Sequence, residues 1–135
     1  VALNPKFSNA AVNAEADALA VLLNTGYLRI FDGTQAATAD TAIGAQNLLA
    51  ELRFNATAFG SAVDGVLTAN ALTADAAANA TGTATWFRAL KSDGSSVMYD
   101  GSAGTSGCDL NLNSTAIQVN AAVSVTSLTI TVSKG

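Results

Sequence analysis

Histidine is absent from the 135-residue chain, and cysteine and proline occur once each, as Cys108 and Pro5. Without an imidazole, the Ser-His-Asp and Cys-His catalytic arrangements are excluded. One thiol cannot build a common zinc site or an intrachain disulfide. Charged residues make up 12% of the chain, against about a quarter in an average globular protein. The basic residues are Lys6, Arg29, Arg53, Arg88, Lys91 and Lys134, scattered along a chain of net charge −4. Nucleic-acid binding needs clustered cations that displace counterions from phosphates, so no nucleic-acid partner is expected. No apolar run approaches the ~20 residues of a membrane span, and Ala18–Leu23 is far too short. The first residues, Val1–Lys6, show no charged segment followed by a hydrophobic one, so no signal peptide is evident.

What the chain does have is small residues. There are 29 alanines and 11 glycines, and the polar positions are mostly Thr, Ser and Asn. A surface of neutral polar groups can be covered by a partner without desolvating many ions, the costly step in burying a polar interface. The composition therefore fits a subunit of an assembly as well as it fits a weakly charged independent domain.

Residues 1–8 read as an extended arm, because Pro5 removes a backbone donor and biases Asn4 to extended geometry. The remainder, 9–135, reads as a single domain. A helix is expected over about 9–24. Ser8 or Asn9 can cap it, and Val12, Ala16, Leu19 and Leu23 recur at helical spacing. Glu15 and Asp17 suit its positive N-terminal half, and Gly26 can supply a left-handed stop.

Strands are expected at 27–31, at 48–55, around Phe59 and Val63, and at 66–68. Further strands are expected at 81–91 and 96–99, in two pieces within 103–113, at 116–119 and at 122–132. Residues 34–46 and the Ala-rich 69–80 read as loops. Four Asp-Gly pairs, 32–33, 64–65, 93–94 and 100–101, read as tight turns, since this dipeptide tolerates the positive φ that hairpins require. Frequent turns between short strands indicate a mainly β fold, an antiparallel β-sandwich or jelly-roll-like domain with one N-terminal α-helix.

Paired carboxylates are the one catalytic chemistry left open. Four of the ten acids lie in Asp-Gly pairs, Glu15 and Asp17 have a helical explanation, and Asp40, Glu51, Asp75 and Asp109 show no suggestive spacing. Asp93, Asp100 and Asp109 offer hard oxygen ligands for calcium, but turn roles explain them better. Gly101–Gly107 has the small residues of a phosphate loop without its lysine or its helix. Cys108 has no basic neighbour in sequence that would activate it. Trp86 and Phe87 are adjacent in a strand, so one ring is expected in the core and the other is free to mark a partner contact. No catalytic residue, cofactor site or metal site is assigned, and the chain is not expected to be an enzyme.

Three stretches carry a resemblance. The helix leading into Leu23-Asn-Thr-Gly-Tyr-Leu-Arg-Ile-Phe-Asp-Gly-Thr-Gln35 resembles the opening of a family of small virion proteins of tailed bacteriophages and prophages. So does Ala80-Thr-Gly-Thr-Ala-Thr-Trp-Phe-Arg-Ala-Leu90, with the following Ser-Asp-Gly and Gly104-Thr-Ser-Gly-Cys-Asp-Leu-Asn-Leu112. The size and β-rich pattern are similar to head cement, or decoration, proteins. The resemblance implies a structural protein on the outer capsid, made in the bacterial cytoplasm. Its partners would be the major capsid protein and itself, as a homodimer or homotrimer. A tail or head–tail connector subunit is the nearest alternative. A carbohydrate-binding β-sandwich module is less favoured, because few aromatics remain after a core is filled.

Overall fold

A computed structural model describes all 135 residues. The single helix α1 spans Asn9–Leu22. Its cap is Ser8, whose Oγ accepts the Ala11 N–H at 3.1 Å, a contact worth ~1 kcal/mol. Val12, Ala16, Ala20 and Leu23 are buried. The alanines let the backbone approach closely, while Val12 and Leu23 each contribute ~1.5–3 kcal/mol through burial. The expected helix is present, ending one turn's fraction earlier than residue 24.

The strands are β1 (Tyr27–Phe31), β2 (Leu48–Arg53), β3 (Val66–Thr68), β4 (Gly82–Thr83), β5 (Trp86–Leu90), β6 (Val97–Gly104), β7 (Leu110–Leu112), β8 (Ala116–Ile117) and β9 (Val125–Thr131). Seven of them form one sheet in the order β2-β1-β5-β6-β7-β9-β3, and β4 pairs with β8 in a ribbon. The fold is mainly β with one N-terminal helix. The sheet is mixed, where an antiparallel one was expected. An antiparallel half, β2-β1-β5-β6, meets a second antiparallel half, β7-β9-β3, through parallel pairs Ala103↔Leu110 and Gly104↔Asn111. The link 105–109 is too short for a helical crossover, so the parallel contact stops after two pairs. Side chains of both halves and of the helix share one core cluster, including Leu28, Ile30, Leu52, Phe87, Leu67, Leu110, Leu128 and Ile130.

Several expectations are corrected. Asp100–Gly101 is not a turn; both residues lie inside β6, which runs unbroken from Val97 to Gly104. Residue pairing decides this. Asp100 faces Arg88, and Gly101 faces Phe87, whose ring occupies the space a Cβ would need. Phe59 and Val63 make only single bridges, to Ala69 and Val66, instead of a strand. The 81–91 run divides into β4 and β5. Gly26 does not take the left-handed conformation; Thr25 does, with φ 57°. A side chain at Gly26 would collide with the carbonyl oxygens of Leu90 and Leu23.

Asp64–Gly65 and Asp93–Gly94 are turns, and Asp64 and Gly65 both have positive φ, 52° and 79°, in the tight link between Val63 and Val66, whereas Asp32–Gly33, expected as a tight turn, opens the long loop between β1 and β2. The Ala-rich 69–80 segment is irregular, as expected. It is not merely superficial, because Thr73 bridges Arg53, Asp75 bridges Val123, and Ala78 is buried.

These contacts generate a paired test. Gly26→Ala should destabilise the protein by ~2–4 kcal/mol through forced backbone displacement. Gly60→Ala, where the added methyl meets nothing within 4 Å, should stay within about 0.5 kcal/mol of the parent. Chemical denaturation of the two variants checks the contrast.

Candidate functional surface

Strand β5 is buried along its whole length, on both faces. On the inner face Phe87 and Ala89 stand beside Ile30 and Leu28. On the outer face Trp86 and Arg88 lie beneath the long loop 32–47. Trp86 stacks on Phe31 at a ring separation of 4.8 Å and donates its indole N–H to the Asp32 carbonyl at 3.0 Å. Both adjacent rings are therefore internal, and Trp86 does not mark an exposed contact. The sequence alone did not show that a loop would roof this face.

Cross-strand register places Glu51, Arg29, Arg88 and Asp100 in one row across β2, β1, β5 and β6. Arg29 Nε donates to Glu51 at 2.7 Å near the rim. Arg88 is 4% exposed. Its Nε and Nη2 grip the two Asp100 carboxylate oxygens at 2.8 and 2.9 Å, and Nη2 also reaches the Thr41 carbonyl at 2.8 Å. Each cation thus has its own anion, and the buried guanidinium ties the loop to the sheet. Beside this row, the Arg53 guanidinium lies 4.0 Å above the Tyr27 ring.

The loop itself encloses an open groove of about 600 Å³ lined by Asp32, Thr34, Gln35, Thr41, Gln46 and Asn47, with glycines and alanines between them. Asp32 accepts both the backbone and the side-chain N–H of Asn47, at 2.6 and 3.0 Å. These bonds hold its carboxyl below the ordinary value of 3.8.

The three aspartates considered for calcium do not converge. Asp93 accepts the N–H groups of Ser95 and Ser96 and the Ser96 hydroxyl, which pulls its pKa well below the carboxylate range. Asp100 is committed to Arg88. Asp109 accepts the Ser102 N–H and hydroxyl, both at 3.1 Å. The glycine-rich 101–107 stretch is split between β6 and the turn after it. Cys108 is half-exposed, with its sulfur against Gly104. Burial, with a smaller push from Asp109, raises the Tyr99 phenol above 10.0.

Other polar side chains fasten backbone. On α1, Asn13 accepts the Gly65 N–H at 2.7 Å and Asp17 accepts that of Ala62 at 2.8 Å. Asn24, just past the helix, accepts that of Ala58 at 2.8 Å. Asp17 was expected to act on the helix dipole; its carboxylate instead binds the 58–65 segment. Asp75 accepts the Glu51 N–H at 2.9 Å along the outer edge of β2.

Comparison of the chain with protein-family models, curated proteins and solved structures finds no match.

Two tests follow from the surface. Arg88→Met leaves the Asp100 carboxylate buried without its partner and should cost ~3–5 kcal/mol. The double variant Arg88→Met/Asp100→Leu should recover much of that loss, measured by chemical denaturation. The acid response comes from Asp32 and Asp93, whose folded pKa values lie below 3.8. Their stabilisation is present above that value and is lost as pH falls through their lower folded values. Thermal midpoints should therefore drop below about pH 4, and Asp93→Asn should make that drop shallower.

Proposed function

We propose that the chain is a non-enzymatic structural subunit of a tailed-phage particle, a cement protein that docks on the outer head and bridges capsid subunits. The observation that carries this reading is how the ionisable groups are used. Of the ten acids, Asp17, Asp32, Glu51, Asp75, Asp93, Asp100 and Asp109 are all engaged in hydrogen bonds within the fold. They hold loops and strand edges in place, the work expected of a rigid body. The outward face left to solvent is poor in charge and rich in Ala, Thr, Ser and Asn, which suits broad contact with other subunits. Residues 1–8 extend from this body as an exposed arm. The resemblance of 23–35, 80–94 and 104–112 to small phage virion proteins supplies the particle. No helix is long and apolar enough to cross a membrane.

On this reading the partners are the major capsid protein and further copies of the chain, and the place of action is the capsid surface. Several weak patches on one oligomer act together through effective concentration, so docking should depend little on salt, which screens exposed ion pairs. Quantitative mass spectrometry of purified particles, separated into heads and tails, tests the assignment. Copies on heads in a fixed ratio to the major capsid protein are expected. Copies confined to tails would replace the cement role with that of a tail or connector subunit. Absence from the particle would overturn the virion reading.

A further inference from the structure

The connection between β1 and β2, residues 32–47, contains no helix or strand. Loops longer than about 12–15 residues without secondary structure are uncommon in compact domains unless they bind something or are disordered. This one is tied down along its length. Thr85 Oγ1 donates to the Gly33 carbonyl at 2.6 Å. Gln46 Nε2 crosses the loop to the Thr34 carbonyl at 2.7 Å, and Gln46 Oε1 accepts the Gly44 N–H at 2.9 Å. With the Asp32–Asn47 and Arg88–Thr41 bonds, these fix the walls of the groove of about 600 Å³. That volume lies within the range of small-molecule sites.

The walls hold a stock of unused hydrogen-bonding groups. Gln35, Ala36, Ala37, Ala42 and Ala45 line the groove, and neither the N–H nor the carbonyl of any of them has a partner in the fold. Alanine side chains leave such peptide groups open to close approach. The exposed Gln35 side chain makes no bond within the fold either. Asp32 accepts one Asn47 N–H on each carboxylate oxygen, so each oxygen keeps a further lone pair. Its pKa lies below 3.8, so it is a charged acceptor at neutral pH.

The lining restricts the chemistry of an occupant. It contains no lysine or arginine and its one charge is negative, so it repels an anion. A divalent cation needs several oxygen ligands, and no three acids gather anywhere in the chain. The largest apolar side chain in the lining is alanine, which gives a lipid tail no purchase. What remains is a neutral molecule dense in both donors and acceptors. An extended peptide pairs with the regular edge of a sheet, and an irregular loop offers none. Sugar hydroxyls rotate, and each both donates and accepts.

We infer that the 32–47 groove binds a neutral saccharide, whose hydroxyls donate to the Asp32 carboxylate and meet the Gln35 amide and the free peptide groups of the wall. The nearby rings of Phe31 and Trp86 are buried beneath the loop. No ring stacks on the sugar, so a single site binds weakly, with a Kd of about 1 mM. The inference goes beyond the structural role proposed above and does not depend on it.

Proton–nitrogen correlation NMR of the full chain tests it. Four probes are titrated into the tens of millimolar: methyl α-glucoside, methyl α-mannoside, methyl β-galactoside and methyl N-acetyl-β-glucosaminide. Inorganic phosphate and a blocked trialanine peptide serve as comparison probes. At least one glycoside should shift amides of 33–37 and 42–47 saturably and leave those of α1 and β9 unmoved. Gln35→Ala should weaken that binding at least about threefold with an unchanged thermal midpoint. Asp32→Asn should weaken it at least about tenfold. A polysaccharide of the sugar that binds separates the two natural sources. Tighter binding per sugar unit by the polymer assigns a glycan chain, equal binding assigns the free saccharide, and both support the inference. No saturable shift by any glycoside, shifts confined to other elements, or binding untouched by both substitutions would overturn it. So would binding of phosphate or of the peptide in the groove where no glycoside binds. None of these outcomes bears on the head-to-copy ratio, which alone scores the virion reading.

Discussion

A guanidinium in the middle of a sheet has to have its donors met, and Arg88 sets much of the rest of this fold by that requirement. Two of its donors are met by Asp100 on the next strand, which keeps β6 extended through an Asp-Gly pair that would otherwise turn. Another contact is the Thr41 carbonyl, which brings the long loop 32–47 across the outer face. With the loop in place, Trp86 is covered and β5 becomes a strand buried on both faces. An ion pair of this kind adds little net stability over a well-packed apolar pair. Its effect here is to select one register and one loop position.

The same economy of polar groups recurs around the molecule. Asn13, Asp17 and Asn24 fasten the 58–65 segment to the helix, and Asp75 supports the outer edge of β2. Segments that lack regular secondary structure are thereby pinned at their backbone N–H groups, which would otherwise need water. Both ends of the sheet are covered in this way, β2 by the 73–80 segment and β3 by single bridges from 59–63. Covered edges limit strand-to-strand aggregation. They leave the arm exposed to solvent.

What the sequence showed and what it hid divide along the range of the deciding interaction. The helix at Asn9–Leu22 was legible because its apolar period and its Ser8 cap are local. Strands β1, β2, β5 and β9 were legible from β-rich composition and alternation, and Asp64–Gly65 from its turn chemistry. Asp100–Gly101 was misread because its conformation is decided by Arg88 and Phe87, on another strand. Gly26 was given a turn role because its real constraint, the carbonyl of Leu90, is distant in sequence. On the functional surface, the acids read as poor catalytic candidates from their sequence positions. Their roles as acceptors for particular backbone amides were invisible, since an aspartate that staples a loop has the same local signature as one that faces solvent.

Polar side chains hold the irregular segments as rigidly as the sheet holds its strands. Native-state amide hydrogen exchange on the intact protein tests it at Asn47, Ala58, Ala62 and Gly65, whose N–H groups are received by side-chain oxygens. The account requires these amides to be protected to a degree comparable with those of β1 and β5. Exchange at the rates of ordinary exposed loops would contradict it.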